Sequence, residues 1–331
     1  MNRTRSQILA FEKKWAVPAG VATLLAVVLL LGSNFANQVH GTGDAEVLRS
    51  TYEHKGSVTL TGILQTLGFV LLALPLFYLF RADQARSPRV RSQLIGLVLI
   101  APLFLAVSSA LTIGIRHEAA DQFVNGTPKS SLSITEVKGE CAEELKEKGA
   151  EDFAEKYEPK SGETASAACE RTKVEDNRAE HATSEASLAA LVSGLGLAGG
   201  LGLIAVFIYV GLWAFRTGLL SRFWGTLGMV SGVAFILGPL IVVTLAWLVY
   251  LGFLLVGRVP GGKPPAWAAG EAIPWPTPGE KAAAELQPEE GEVIDADAID
   301  VDAVEEEPLP NGNGTPPDAG GAPRKRKRRD P

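Results

Sequence analysis

Charge is missing from the five longest apolar stretches of this chain. No Asp, Glu, Lys, Arg or His lies deep inside any of them. Ionisable groups within such stretches mark proton relays and coupled-ion pathways, so their absence argues against a proton-coupled transporter. It leaves room for a carrier of a lipid or small apolar solute. Cysteine is nearly absent, with two in 331 residues. Those two do not form a C-x-x-C pair, which removes the usual thiol redox motif. The histidines number four, and no two stand at H-x-x-x-H spacing. H-E-x-x-H and G-x-S-x-G are lacking too. The chain therefore reads as non-enzymatic, with no cofactor implied and no catalytic residue to name.

What is present is apolar length. Ala16–Ala36, Ser57–Phe80, Ser92–Ile115 and Ala186–Phe215 are uncharged, and each reaches the roughly 20 residues that a spanning helix needs. Phe223–Gly257 is longer, 35 residues between Arg222 and Arg258. The pattern predicts an all-α integral membrane protein in the cell membrane, with the bilayer as its first partner. Lys13 and Lys14 precede the first tract as they would in a signal peptide. The tract is long enough to span, however, and we read it as a retained helix.

Orientation follows Lys and Arg in the short loops. The N-terminal segment carries Arg3, Arg5, Lys13 and Lys14, the loop RADQARSPRVR carries Arg81, Arg86, Arg89 and Arg91, and RTGLLSR carries Arg216 and Arg222. Asn37–Gly56 has only Arg49 and Lys55. The N-terminus and both Arg-rich loops are thus expected in the cytoplasm, and Arg116–Glu185 outside. Phe223–Gly257 is too long for one upright crossing and tight for two. Gly238–Pro239 divides it near the middle, and proline disfavours helix at its own position and the one before. A turn there gives six spans and a cytoplasmic tail; a single kinked helix gives five.

The expected organisation is a cytoplasmic N-terminus (1–15), helices one to three (16–115), an extracytoplasmic loop (116–185), helices four to six (186–257) and a disordered cytoplasmic tail (258–331). Close helix approach is expected at Gly196 and Gly200, and again at Gly228 and Gly232, each pair four residues apart. Gln65, Thr66, Ser108, Ser109 and Ser193 are expected to bond between helices; in a carrier, Gln65 and Ser108 would line the path.

The outer loop holds 17 acidic and 10 basic residues and both cysteines, Cys141 and Cys169. A disulfide between them would stabilise an excursion with little core by about 3 kcal/mol. Two charged helical segments separated by Lys160–Gly162 predict a disulfide-pinned hairpin, which an extracytoplasmic protein partner would recognise. His54, His117 and His181 fall close to span ends. Interface residues with no common task explain them most simply, and a pH-sensitive outer face or a metal site at the bundle mouth are the alternatives. Asn125–Gly126–Thr127 matches a glycosylation sequon, a pattern common by chance.

Past Arg258 the chain turns to GRVPGGKPPAWAAGEAIPWPTPGE, then to 11 acidic residues within Glu285–Glu307 and a basic end. Trp267 and Trp275 among prolines suit an extended segment near the headgroups, and beyond it like-charge repulsion and proline predict disorder. Arg324, Lys325, Arg326, Lys327, Arg328 and Arg329 fit anionic lipid headgroups better than nucleic acid on a tethered tail. The junction GRVPGGKPPAW…IPWP, with SRFWGTLGMVSGVAFILGP before it, resembles uncharacterised bacterial multi-pass membrane proteins over about Arg216–Glu280. The resemblance implies a six-span bundle ending in a Gly/Pro/Trp segment, and carries over no activity.

Overall fold

The computed structural model describes residues 4–126, 130–157, 159–235 and 240–276. Among them the regular structure is helical throughout: α1 Arg5–Ala36, α2 Asp44–Glu53, α3 Lys55–Arg86, α4 Ile95–Asn125, α5 Ile134–Lys148, α6 Ala150–Tyr157, α7 Ala165–Glu185, α8 Ala189–Arg216, α9 Arg222–Ala234, α10 Ile241–Val256 and α11 Pro265–Ala269. Four helices are long and apolar enough to cross a bilayer: α1, α3, α4 with the turn that precedes it, and α8. Pro18, Pro75 and Pro102 lie inside the first three. Internal prolines are tolerated in apolar bundles, where neighbours and local adjustment re-satisfy the freed carbonyls.

The long helices overrun the uncharged tracts. α1 starts at Arg5 and α3 ends at Arg86, so each carries one to three turns of charged sequence into the bundle end. Packing runs α1 to α3, α3 to α4, α4 to α8, α8 to α9, α9 to α10, and α10 back to α1, which closes a ring. Its core holds Leu72, Leu76, Leu79, Leu203, Phe207, Trp247 and Leu251. The outward faces are also apolar, for example Leu60, Ile63, Leu67, Val70 and Leu74 on α3 and Val17, Val21, Leu25 and Val28 on α1. Stripes of that length would be an aggregation hazard in water; against acyl chains they are the solvated surface.

The residues Gly238 and Pro239, where a turn is expected, lie outside the described residues. On either side, α9 and α10 have 13 and 16 residues and run antiparallel. The Trp224 ring stacks on Tyr250, the Trp247 indole N–H donates to the Trp224 carbonyl at 2.9 Å, and the Thr244 hydroxyl to the Ser231 carbonyl at 2.8 Å.

At the end of the ring opposite the start of α1, α5, α6 and α7 form a head. The first charged segment is two helices rather than one, because Gly149 at φ +82° ends α5 in a conformation that favours glycine. Ser133 and Glu136 close a capping box on α5. The Cys141–Cys169 disulfide joins α5 to α7 with Cα atoms 6.1 Å apart. Val137, Phe153, Tyr157 and Ala168 complete this small core. Asn37–Gly56, read above as a plain loop, contains α2, which seats the head on the ring. Ala45 and Leu48 of α2 pack on Ala119 and Ala120 of α4 and Ala179 and Ala182 of α7. The Asp176 carboxylate accepts the Ala45 N–H at 3.0 Å, near the start of α2.

Candidate functional site

The densest polar chemistry lies at the end of the ring where α1 begins and α3 and α8 finish. The apolar periodicity of α3 runs Leu72, Leu76, Leu79 and then continues as Asp83 and Arg86, which are also buried. On α1 the buried positions Ile8, Ala16 and Ala19 share their face with Glu12. The same helical phase that builds the core therefore brings a carboxylate, a second carboxylate and a guanidinium inside. Arg86 donates through both terminal nitrogens to the Glu12 carboxylate, one of these bonds measuring 3.0 Å. The side chains are 0% and 6% exposed. Such a bidentate pair resists separation, because either partner alone would be an uncompensated buried charge. Asp83 accepts from the Thr217 hydroxyl at 2.9 Å through Oδ1, while its buried Oδ2 has no hydrogen-bond partner.

The cluster is covered by the segment after α10. Lys263 reaches back to the Leu255 carbonyl at 3.0 Å. Burial lowers the Lys263 pKa from the ordinary lysine value, and the negative charge of Glu12 opposes that shift. Pro265 opens the short helix α11, whose Ala266 carbonyl accepts from Arg86 at 2.8 and 3.2 Å. The Trp267 ring stacks on Tyr78, centroids 6.0 Å apart, and Phe11 also stacks on Tyr78, at 6.2 Å. Arg86 also lies over Trp267, 5.4 Å from the ring centroid.

Two indoles fix the register of this strap. Trp267 and Trp275 each donate an N–H at 2.9 Å, to the Leu219 and Leu220 carbonyls respectively. Between them the Ile273 amide donates to the Thr217 carbonyl at 3.1 Å. Gly218, at φ +78°, lies where a Cβ would collide with the Ile273 carbonyl, so both the backbone angle and the approach require glycine. Arg222 closes the far end on the Pro276 carbonyl at 2.5 Å. Expected as part of a disordered tail from residue 258, the chain is instead ordered and docked to residue 276. The reason is that its prolines and tryptophans find donors, acceptors and rings on the bundle end.

Glu12, Asp83 and Arg86 were not singled out as site residues from the sequence, because each lies beyond the edge of an uncharged tract. The signal was present as phase: Asp83 and Arg86 extend the four-three spacing of Leu72, Leu76 and Leu79. Asp83 is also the only acid in RADQARSPRVR.

Other expected positions are dispersed. His54 donates to the Ser50 carbonyl at 3.0 Å, His117 lies 3.3 Å from the Lys55 carbonyl, and His181 is 3.9 Å from Glu185. Among the described residues no group of three or more His, Cys, Asp or Glu could hold a metal ion. A Cβ at Gly228 would meet the Trp247 ring, and one at Gly232 would meet Phe207. A Cβ at Gly196 approaches only the Ser108 hydroxyl, and one at Gly200 meets nothing within 4 Å; Gly199 and Gly202 make the close approach to α4 instead. The face is set by the helix crossing, which the four-residue spacing alone does not define. Ser108 donates to the Val192 carbonyl at 3.1 Å, bonding α4 to α8. Arg324–Arg329 lie outside the described residues.

In the head, Glu144 is a hub. It pairs with Lys156, accepts from the Tyr157 hydroxyl at 2.6 Å, and has Lys148 at 3.3 Å. Hydrogen bonds from Lys156 and then Tyr157 hold its carboxyl down at about 2. No family model, curated protein or solved structure matches this chain.

Proposed function

We propose that this chain is a six-span cell-membrane protein without enzymatic activity, which presents its disulfide-joined head to an extracytoplasmic protein partner. The supporting observation is the way the head is built. It has a covalently joined core and also a mount: α2 packs on α4 and α7, and Ser187 donates to the Glu118 carboxylate at the base of α7. A passive spacer needs neither feature, whereas a recognition surface must be held in a fixed orientation. Thr217, Arg86 and the docked strap share one end with Arg5 and Leu9, which approach Gly270. In this reading that end is cytoplasmic, in keeping with the Arg-rich loops. α9 and α10 are then the fifth and sixth spans; at 1.5 Å per residue they fall about 10 and 6 Å short of the hydrocarbon thickness, a mismatch that local bilayer thinning accommodates. The basic terminus would contact anionic headgroups on the same side.

The test removes the tip of the head and keeps the mount. Ser130–Pro159 is replaced by a short Gly/Ser linker with Cys169→Ser, leaving α2 and α7 in place. Membrane insertion should persist while crosslinking to the partner in native membranes is lost. Unchanged crosslinking would return the head to a spacer. Substituting Gln65, Ser108 and Ser109 by apolar residues is the parallel arm, and loss of function there alone would favour a carrier.

A further inference from the structure

We propose that the strap Pro264–Pro276 is a reversible cover over the Glu12–Asp83–Arg86 cluster, with the unpartnered Asp83 oxygen biasing it towards release. Docking is strong and specific in its donors. Two indole N–H groups, the Ile273 amide and the two Arg86 bonds to Ala266 all cross the seam. Those contacts join the cover to the two residues beside the acid. Ile273 bonds to Thr217, which itself donates to Asp83, and Ala266 bonds to Arg86, one helical turn from Asp83.

One polar atom of the cluster has no partner. Glu12 from α1 and Asp83 from α3 are the acids, Arg86 from α3 is the enclosed cation, and Lys263 of the covering segment stands 5.7 Å from the Trp267 ring. Arg86 commits its nitrogens to Glu12, Ala266 and the Ala82 carbonyl. Asp83 Oδ2 is left without a donor inside the protein. A buried unpaired carboxylate oxygen is costly, and water supplies the missing bond once the strap lifts. Closed and open states thus differ by opposing terms: aromatic stacking and seam bonds hold the strap down, and rehydration of Asp83 lifts it. The tail that follows residue 276 is thereby connected to the packing of α1, α3 and α8.

Amide hydrogen exchange on the full-length protein in lipid nanodiscs reads the opening at Ile273. In the parent, Ile273 should exchange more slowly than in an unstructured peptide of the same sequence, yet faster than Leu203–Val210 in the core of α8. Asp83→Ala removes the orphaned oxygen while the Thr217 hydroxyl keeps the Trp213 carbonyl as acceptor at 2.9 Å, so exchange at Ile273 should slow by about fivefold or more. Thr217→Val keeps the Asp83 carboxyl and removes its donor, so exchange should quicken, and this arm decides the matter if the first variant does not accumulate. Trp267→Ala should bring Ile273 close to the unstructured rate with Leu203–Val210 unaffected. The proposal is overturned if Asp83→Ala leaves exchange unchanged or faster, or if Thr217→Val fails to quicken it. Parent exchange equal to the unstructured rate, or as slow as the α8 core, would also overturn it.

Discussion

Arg86 shows how a single residue can serve two segments that are far apart in sequence. Its guanidinium grips Glu12, 74 positions earlier, and the Ala266 carbonyl, 180 positions later. Arg86→Met should cost about 3–5 kcal/mol in denaturant unfolding in micelles, because Glu12 would stay buried and unpaired. The double variant Glu12→Leu with Arg86→Met should recover most of that loss, since apolar groups of similar volume often match a buried ion pair. A double variant as unstable as the single one would show that Arg86 acts mainly through Ala266. Glu144 allows a pH test outside the bundle. Its folded pKa is depressed to about 2, so the stability it supplies is complete above the ordinary carboxylate range. That contribution falls away as pH drops from about 4 towards 2, when the unfolded chain takes up the proton first. Thermal melts of the head, followed by near-ultraviolet circular dichroism, should show this acid loss, and Glu144→Gln should flatten it.

Among the elements, α9 and α10 depend most on one another. Neither reaches the length of the four long helices, and Gly228 lets the Trp247 ring lie against the α9 backbone. Gly228→Val should push the pair apart and destabilise the protein by roughly 1–3 kcal/mol, seen as a lower midpoint in thermal unfolding. The change at Gly200, where a Cβ meets no neighbour, should be far milder. The helices themselves were readable from the sequence, because apolar runs of 20 or more residues satisfy their own backbone only as helices. Their ends were not. Helices α1 and α3 continue into charged sequence because Glu12, Asp83 and Arg86 find partners there, and hydropathy does not count partners. Helix α2 was missed for the same reason: its one apolar face, Ala45 and Leu48, is too small to signal until α4 and α7 supply the other side.

For the whole molecule, the direction of the last two helices decides where the tail lies. The antiparallel contacts Trp224–Tyr250 and Ser231–Thr244 carry the chain back to the end from which it left α8. A cysteine at Ala319 should therefore resist a membrane-impermeant maleimide in intact cells and react after lysis. A cysteine at Lys138 in the head should label in both. Labelling of Ala319 in intact cells at the head's rate would restore a single kinked crossing. By itself the sequence determined the helical class, the number of long apolar tracts and the segregation of charge to their ends. These follow from composition over local windows, in which hydrophobic length and backbone satisfaction leave one solution. Tertiary structure decided that three of those end charges turn inward, and that a Pro/Trp segment expected to be disordered docks. Both depend on groups brought together across 48 to 180 residues, and the gain from such a contact appears only when both partners have been placed by the surrounding helices.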